Sequence, residues 1–169
     1  MKSKISRIFA IAVLGCLFAF SGSGLALAKS PVPGDSAPNF SLTSVDGKAV
    51  SLSQFQGKVV LVGMFHICVP CLKQAMEFNK VRSALPGDEL VILGINTSGD
   101  SKPAVLDYLK GFPETPKFPY LLDPEQSVHH AYIQVDMPTV LIIGRDGKLQ
   151  ARSSWVGADQ LIAYLKKNM

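Results

Sequence analysis

Cys68 and Cys71 form a Cys-Val-Pro-Cys sequence where an apolar, β-branched run, Val59-Val60-Leu61-Val62-Gly63-Met64-Phe65, gives way to a helical pattern. A run that is apolar at every position predicts a strand buried on both faces. Cysteines at the start of the next helix meet backbone N–H groups with no partner inside the helix, and the positive end of its dipole. Both favour a thiolate. Pro70 is tolerated there, since the first turn has no intrahelical N–H bond to lose. The chemistry expected is thiol–disulfide exchange. Cys68 is the exposed nucleophile, and Cys71, one turn further in, attacks the mixed disulfide and closes a Cys68–Cys71 disulfide.

Other residues near the pair could take part in the same chemistry. His66 lies two residues before Cys68, and an imidazolium there would stabilise the thiolate. Its alternative is a strand-end histidine bonded to backbone or solvent. Glu77 is the nearest acid, but nearly two turns past Cys71 it reads as part of a solvated helix face. His129-His130 reads as surface or packing, and Trp155 as an edge or core aromatic. A structural zinc site needs four ligands, and no second cysteine pair exists. A Cys₂His₂ or copper site drawing on His66, His129 or His130 remains an alternative, as does a purely structural disulfide.

The first residues read as a targeting segment. Lys2, Lys4 and Arg7 precede an apolar stretch from Ile8 to Phe20, and Ala26-Leu27-Ala28 offers a small-x-small cleavage site. Residues 1–28 are therefore expected to be a signal peptide, which places the remainder in the periplasm or on the extracytoplasmic face of the membrane. The uninterrupted apolar run falls short of the ~20 residues a spanning helix needs. A lipoprotein attached through Cys16 would follow Val13-Leu14-Gly15, a poor lipobox, although tethering stays an alternative. Without Lys2, Lys4 and Arg7, the 17 basic residues of the 169-residue chain become 14 against 13 acids, a net charge of +1. No basic cluster interleaved with aromatics points to nucleic acid. Cys16 leaves with the leader, and a single close cysteine pair is not a disulfide-stapled scaffold.

The elements that must position the pair follow in order. Residues 29–37, rich in Pro, Gly and Ser, read as a linker. Residues 39–43 and 49–52 alternate around Asp46-Gly47, predicting a β-hairpin. One helical turn over residues 53–56 ends at Gly57, and the central strand runs over residues 58–65. A helix is expected over residues 70–85, and a buried strand over residues 89–96, completing a βαβ unit. A second helix is expected over residues 102–110, a short strand at Tyr120-Leu121-Leu122, and a short helix over residues 125–132. Val140–Ile143 and Leu149–Ser153 should pair across the Arg145-Asp146-Gly147-Lys148 turn, and a helix over residues 158–167 closes the chain. Everything after the linker, residues 38–169, is expected to form one α/β domain.

Gly57-Lys58-Val59-Val60-Leu61-Val62, the Cys68–Cys71 pair, Ala131-Tyr132, Met137-Pro138-Thr139 and Arg145-Asp146-Gly147-Lys148 fall in the order and spacing of thioredoxin-like extracytoplasmic proteins. The chain resembles the ResA/TlpA type of the AhpC/TSA redoxins, which includes thiol–disulfide oxidoreductases of cytochrome c maturation. The resemblance implies a thioredoxin-like domain over residues 38–169, with a central mixed β-sheet flanked by helices, an N-terminal hairpin and a helical insertion near residues 102–116. It also implies a cis bond before Pro138, with Met137, Pro138 and Thr139 forming a substrate-binding loop. Many relatives carry tryptophan where Ile67 stands. Members that reduce cytochrome c precursors often carry glutamate at Gln74, and the buried aspartate of thioredoxin corresponds to Val62. His66 and Gln74 are thus candidate modulators.

The resemblance implies no cofactor beyond the Cys68–Cys71 disulfide. It implies protein thiols and disulfides such as apocytochrome c as partners, with a membrane electron donor, because no nucleotide-binding or haem-attachment motif is present. One alternative is a peroxiredoxin-like peroxidase, although those enzymes place threonine where Phe65 stands. The other is a copper- or metal-binding thioredoxin-like chaperone.

Overall fold

The computed structural model describes residues 29–169. The signal peptide expected over residues 1–28 lies outside the described residues. The elements in chain order are β1 (Ser41–Ser44), β2 (Ala49–Ser51), a 3₁₀ turn (Leu52–Phe55), β3 (Val59–Phe65), α1 (Val69–Ala84), β4 (Leu90–Asn96), α2 (Lys102–Lys110), β5 (Tyr120–Leu122), α3 (Ser127–Ala131), β6 (Thr139–Ile143), β7 (Leu149–Ser153) and α4 (Ala158–Asn168). The strands form one mixed sheet in the order β2-β1-β5-β4-β3-β6-β7. β3, β4 and β5 run parallel, while β6 runs antiparallel to β3 and β1 antiparallel to β5.

β3 is buried at every position, as its composition predicts, and its side chains divide by parity. Val59, Leu61 and Phe65 join the cluster that α1, α2 and α4 cover, through Ala75, Phe78, Val105 and Leu161. Val60, Val62 and Met64 join the opposite cluster with Val128 and Tyr132 of the α3 region. Two cross-strand partners, Gly63 and Gly94, leave room for aromatic rings on the first face. A Cβ on Gly63 would run into the Phe65 ring, and one on Gly94 would lie 2.9 Å from Phe118. Phe65 uses that space to pack on Phe78 and Tyr120, with ring centroids 5.9 and 6.0 Å away. The end of the central strand thereby gains a rigid floor just before the cysteines.

Two expectations change. The presumed linker over residues 29–37 is laid along the sheet edge: Gly34 N–H donates to Leu149 O (2.8 Å), Leu149 N–H to Asp35 O (2.9 Å) and Ala37 N–H to Gly147 O (3.0 Å). The short helix begins at Ser127 rather than residue 125, because the Asp123 carboxylate is buried and accepts the N–H groups of Ser127 and Val128, each at 2.8 Å. Those N–H groups would otherwise be unpaired at the start of α3.

Candidate active site

Cys68 is the N-cap of α1, in extended conformation, and its Sγ accepts the Cys71 N–H at 3.3 Å. That bond satisfies one of the free donors of the first turn and sets the sulfur at the positive end of the helix. Cys68 is part-buried, whereas Cys71 is only 1% exposed. Both are free thiols. Burial first, and then the Cys68 side chain, push the Cys71 thiol up to about 12. One sulfur is therefore accessible and the other is a buried, protonated reserve beside it.

His66 meets the pair through its backbone: its N–H donates to Cys71 Sγ at 3.3 Å. Its imidazole follows the even-numbered side chains of β3 to the α3 face, where its ring centroid lies 6.4 Å from that of His129. The expected imidazolium contact with Cys68 thus gives way to a contact between two rings. Burial, and after it His129, lower the His66 pKa against an opposing pull from Asp100, favouring the neutral ring. His66 Nε2 and His129 Nδ1 are both buried without a hydrogen-bond partner. Among the described residues, no group of three or more His, Cys, Asp or Glu side chains is placed to hold a metal ion.

Gln74 lies one turn beyond Cys71 and is fully buried. Its Oε1 accepts the Val156 N–H and its Nε2 donates to Val156 O, both at 2.8 Å. A carboxamide can satisfy a backbone N–H and C=O together, whereas an ionised carboxylate can only accept. This explains in physical terms why glutamine, rather than glutamate, suits the position in this chain. Glu77 is not on a solvated face: its side chain is 17% exposed. Its carboxylate accepts the Ala158 N–H at 2.7 Å, capping α4 where the N-cap, Gly157, has no side chain to do so. Burial works against ionisation, but Lys80 and the Ala158 N–H hold the carboxyl below the usual glutamate value.

The Met137–Pro138 bond is cis. Thr139 pairs with Met64 across the β6–β3 ladder, so the residues just before it lie beside the chain leaving β3 for Cys68. Pro138 is buried, Thr139 Oγ1 donates to Asp136 O at 2.7 Å, and the Met137 side chain is exposed. Nothing in the spacing marked Gln134 or Thr97, which hold this loop from inside. Gln134 Nε2 donates to Met64 O (3.2 Å) and Asp136 O (3.1 Å), and Thr97 Oγ1 donates to Gln134 Oε1 (2.6 Å). Nor did anything mark Tyr108 of α2, whose hydroxyl donates to Cys68 O at 2.6 Å. Trp155 is exposed rather than packed in the core, following β7 at the same end of the sheet.

The family model described as the AhpC/TSA family matches residues 33–152. The chain belongs to the AhpC/TSA family. Within its relatives, the thiol-disulfide oxidoreductase ResA of Bacillus subtilis is 33% identical over 121 residues, covering 69% of this chain and 64% of that protein. A Mycobacterium tuberculosis protein named as a peroxiredoxin is 27% identical over 151 residues, covering 81% of this chain and 94% of the relative. The thioredoxin domain of a thiol-disulfide oxidoreductase from Bacteroides vulgatus superposes with a TM-score of 0.72 at 23% identity, over 82% of this chain and 98% of that one. The thioredoxin-like α/β fold is thereby shown. In this AhpC/TSA member, the loops after β3, β4 and β7 and the one before β6 lie at the same end of the sheet. The dithiol lies among them.

Proposed function

We propose that this protein is an exported thiol–disulfide oxidoreductase that reduces disulfides in other proteins. The observation that carries this reading is the division of labour in the pair: Cys68 accessible at the helix start with a donor on its sulfur, and Cys71 buried behind it. The Cys68 thiolate attacks one sulfur of the partner's disulfide, forming a mixed disulfide and expelling the other partner sulfur as a thiolate. Cys71 then gives up its proton and attacks Cys68 Sγ. The Cys68–Cys71 bond forms, the mixed disulfide breaks, and the second partner thiol leaves. Two electrons pass to the partner, and a membrane-bound dithiol donor returns them by the same exchange in reverse.

The surface around the pair suits a polypeptide partner. Ile67 and Val69 flank Cys68, Val135 and Met137 stand on the loop before Thr139, and Trp155 follows β7; all five are exposed. An extended segment with apolar residues beside its cysteines would cover them. Apocytochrome c, with paired haem-binding cysteines, is the proposed substrate class, which puts the site in the periplasm or on the outer face of the membrane. Among the described residues, no helix is long and apolar enough to cross a membrane.

A peroxidase is the second reading, favoured by the relative named as a peroxiredoxin. Against it, Phe65 stands where peroxiredoxins place threonine, and its ring is fully buried. Mixing the reduced protein with an oxidised Cys-x-x-Cys-His peptide, and separately with hydrogen peroxide, distinguishes the two. The expected result is one peptide disulfide opened per protein, with peroxide consumed far more slowly. Peroxide consumed faster than the peptide would overturn the reductase reading.

A further inference from the structure

We propose that Tyr108, on the helix between β4 and β5, is a positioning residue for Cys68: its hydroxyl holds the nucleophile's own carbonyl and keeps the sulfur over the helix start. This rests on the exchange reading above. The Cys68 carbonyl is the first acceptor of α1 and takes the Leu72 N–H at 3.1 Å. Tyr108 adds a second donor to the same oxygen, at 2.6 Å, the short side of the usual O–H···O range. Two donors from different directions fix the plane of the peptide that follows Cys68. The Cys68 Sγ to Cys71 N–H contact depends on that plane, because Cys68 is the N-cap.

The hydroxyl also acts on charge. A carbonyl oxygen is the negative end of the peptide dipole, and here it belongs to the residue that must carry a thiolate. The partly positive hydroxyl hydrogen set against it offsets part of that negative potential and so favours an anion nearby. Burial, the largest cause, pushes the Tyr108 phenol well up, so it remains a donor across the working range of the thiol. Its position comes from the packing of α2. The ring stands edge-on to the buried Phe112 ring, with centroids 4.9 Å apart and planes at 89°. The helix between β4 and β5 thus reaches the dithiol through a residue that a Tyr→Phe change can disarm without disturbing its packing.

The test is the rate at which iodoacetamide alkylates Cys68 at pH 7, with the modified cysteine identified by peptide mass, in wild type, Tyr108→Phe and Phe112→Leu. Tyr108→Phe should slow alkylation about threefold, the size expected for one modest electrostatic contact. Its disulfide should form about threefold more readily against a glutathione couple, equivalent to a potential about 14 mV lower. Phe112→Leu removes the ring's edge-on neighbour and keeps the hydroxyl; it should lower thermal stability and slow alkylation clearly less than Tyr108→Phe does. An unchanged rate in Tyr108→Phe, or an equal slowing in Phe112→Leu, would overturn the proposal. Failure of the wild type to form a reversible disulfide would instead overturn the exchange reading, while the alkylation rates would still decide the role of Tyr108.

Discussion

Replacing the buried cysteine, Cys71→Ser, should leave the protein able to begin exchange and unable to finish it. The Cys68 thiolate still opens a partner disulfide, but no second sulfur stands behind it to break the mixed disulfide. A covalent adduct through Cys68 should accumulate and be visible as one partner mass added under non-reducing conditions. Steady-state turnover should fall on the order of 10²-fold or more, the scale for loss of a residue that makes or breaks a covalent bond. Cys68→Ser should lose turnover to the same degree and form no adduct. Undiminished turnover in either variant would contradict the division of roles. The wild-type release step should also depend on pH. Burial is the largest cause raising the Cys71 thiol to about 12, and it persists in the mixed disulfide, whereas the hydrogen-bonding contribution of Cys68 does not. Below the thiol's own value its thiolate fraction rises about tenfold per pH unit, so release should accelerate as pH rises through neutrality.

The second large effect is expected at Gln74. Gln74→Glu puts a carboxylate where one oxygen still accepts the Val156 N–H and the other faces Val156 O, in a site with no exposure. Breaking a buried hydrogen bond and adding an uncompensated charge should cost about 3 kcal/mol at pH 8. For a chain of this length that lowers the melting temperature by about 10 °C. The loss should be reversible with pH. The buried carboxyl has its folded-state pKa raised above the unfolded value, so the folded state binds the extra proton more tightly. Stability relative to wild type is therefore best at low pH and falls as pH rises through the raised value. Protonated, the carboxyl can donate to Val156 O and restore both bonds. Thermal melts at pH 5 and pH 8 check this. A deficit equal at both values would show that size and shape, rather than charge, set the preference for glutamine.

The fold was legible because apolar periodicity carried most of it. α2, β5 and β7 match the sequence-derived bounds, β3, β4 and α4 differ by one residue at one end, and α1 by one residue at both. The strand interior is read directly from Val59–Phe65, since both faces of a central strand must be apolar. The polar interior was less legible, for a physical reason. Gln74, Asn79, Thr97, Asp123 and Gln134 are all buried, and each is satisfied by groups from elsewhere in the fold or from a local turn. Asn79 interrupts the helical apolar pattern of α1, but it accepts the Lys117 N–H (2.8 Å) and donates to Thr115 O (3.0 Å), pinning the proline-rich stretch before β5. Partners tens of residues away leave no mark in local spacing. The same limit applies at the site. Cys-x-x-Cys and Met137-Pro138-Thr139 are readable as motifs, whereas Tyr108 and Gln134 act through single bonds to backbone that only the assembled fold brings within reach. The short sequence distance from His66 to Cys68 suggests a side-chain contact, but strand parity turns its ring to the other face.

In the proposed mechanism Cys68 and Cys71 form a working two-electron couple that donates to partner disulfides. Equilibrating the metal-free protein in graded dithiothreitol buffers, quenching, and counting alkylated thiols tests it most directly. A reversible Cys68–Cys71 disulfide with a potential near or below that of thioredoxin, ~−270 mV, is the predicted result, since a pair this reducing gives up electrons to the more oxidising, exposed disulfides. A potential near the ~−120 mV of DsbA would contradict donation and make the protein an acceptor of electrons. No reversible couple at all would contradict the exchange chemistry itself.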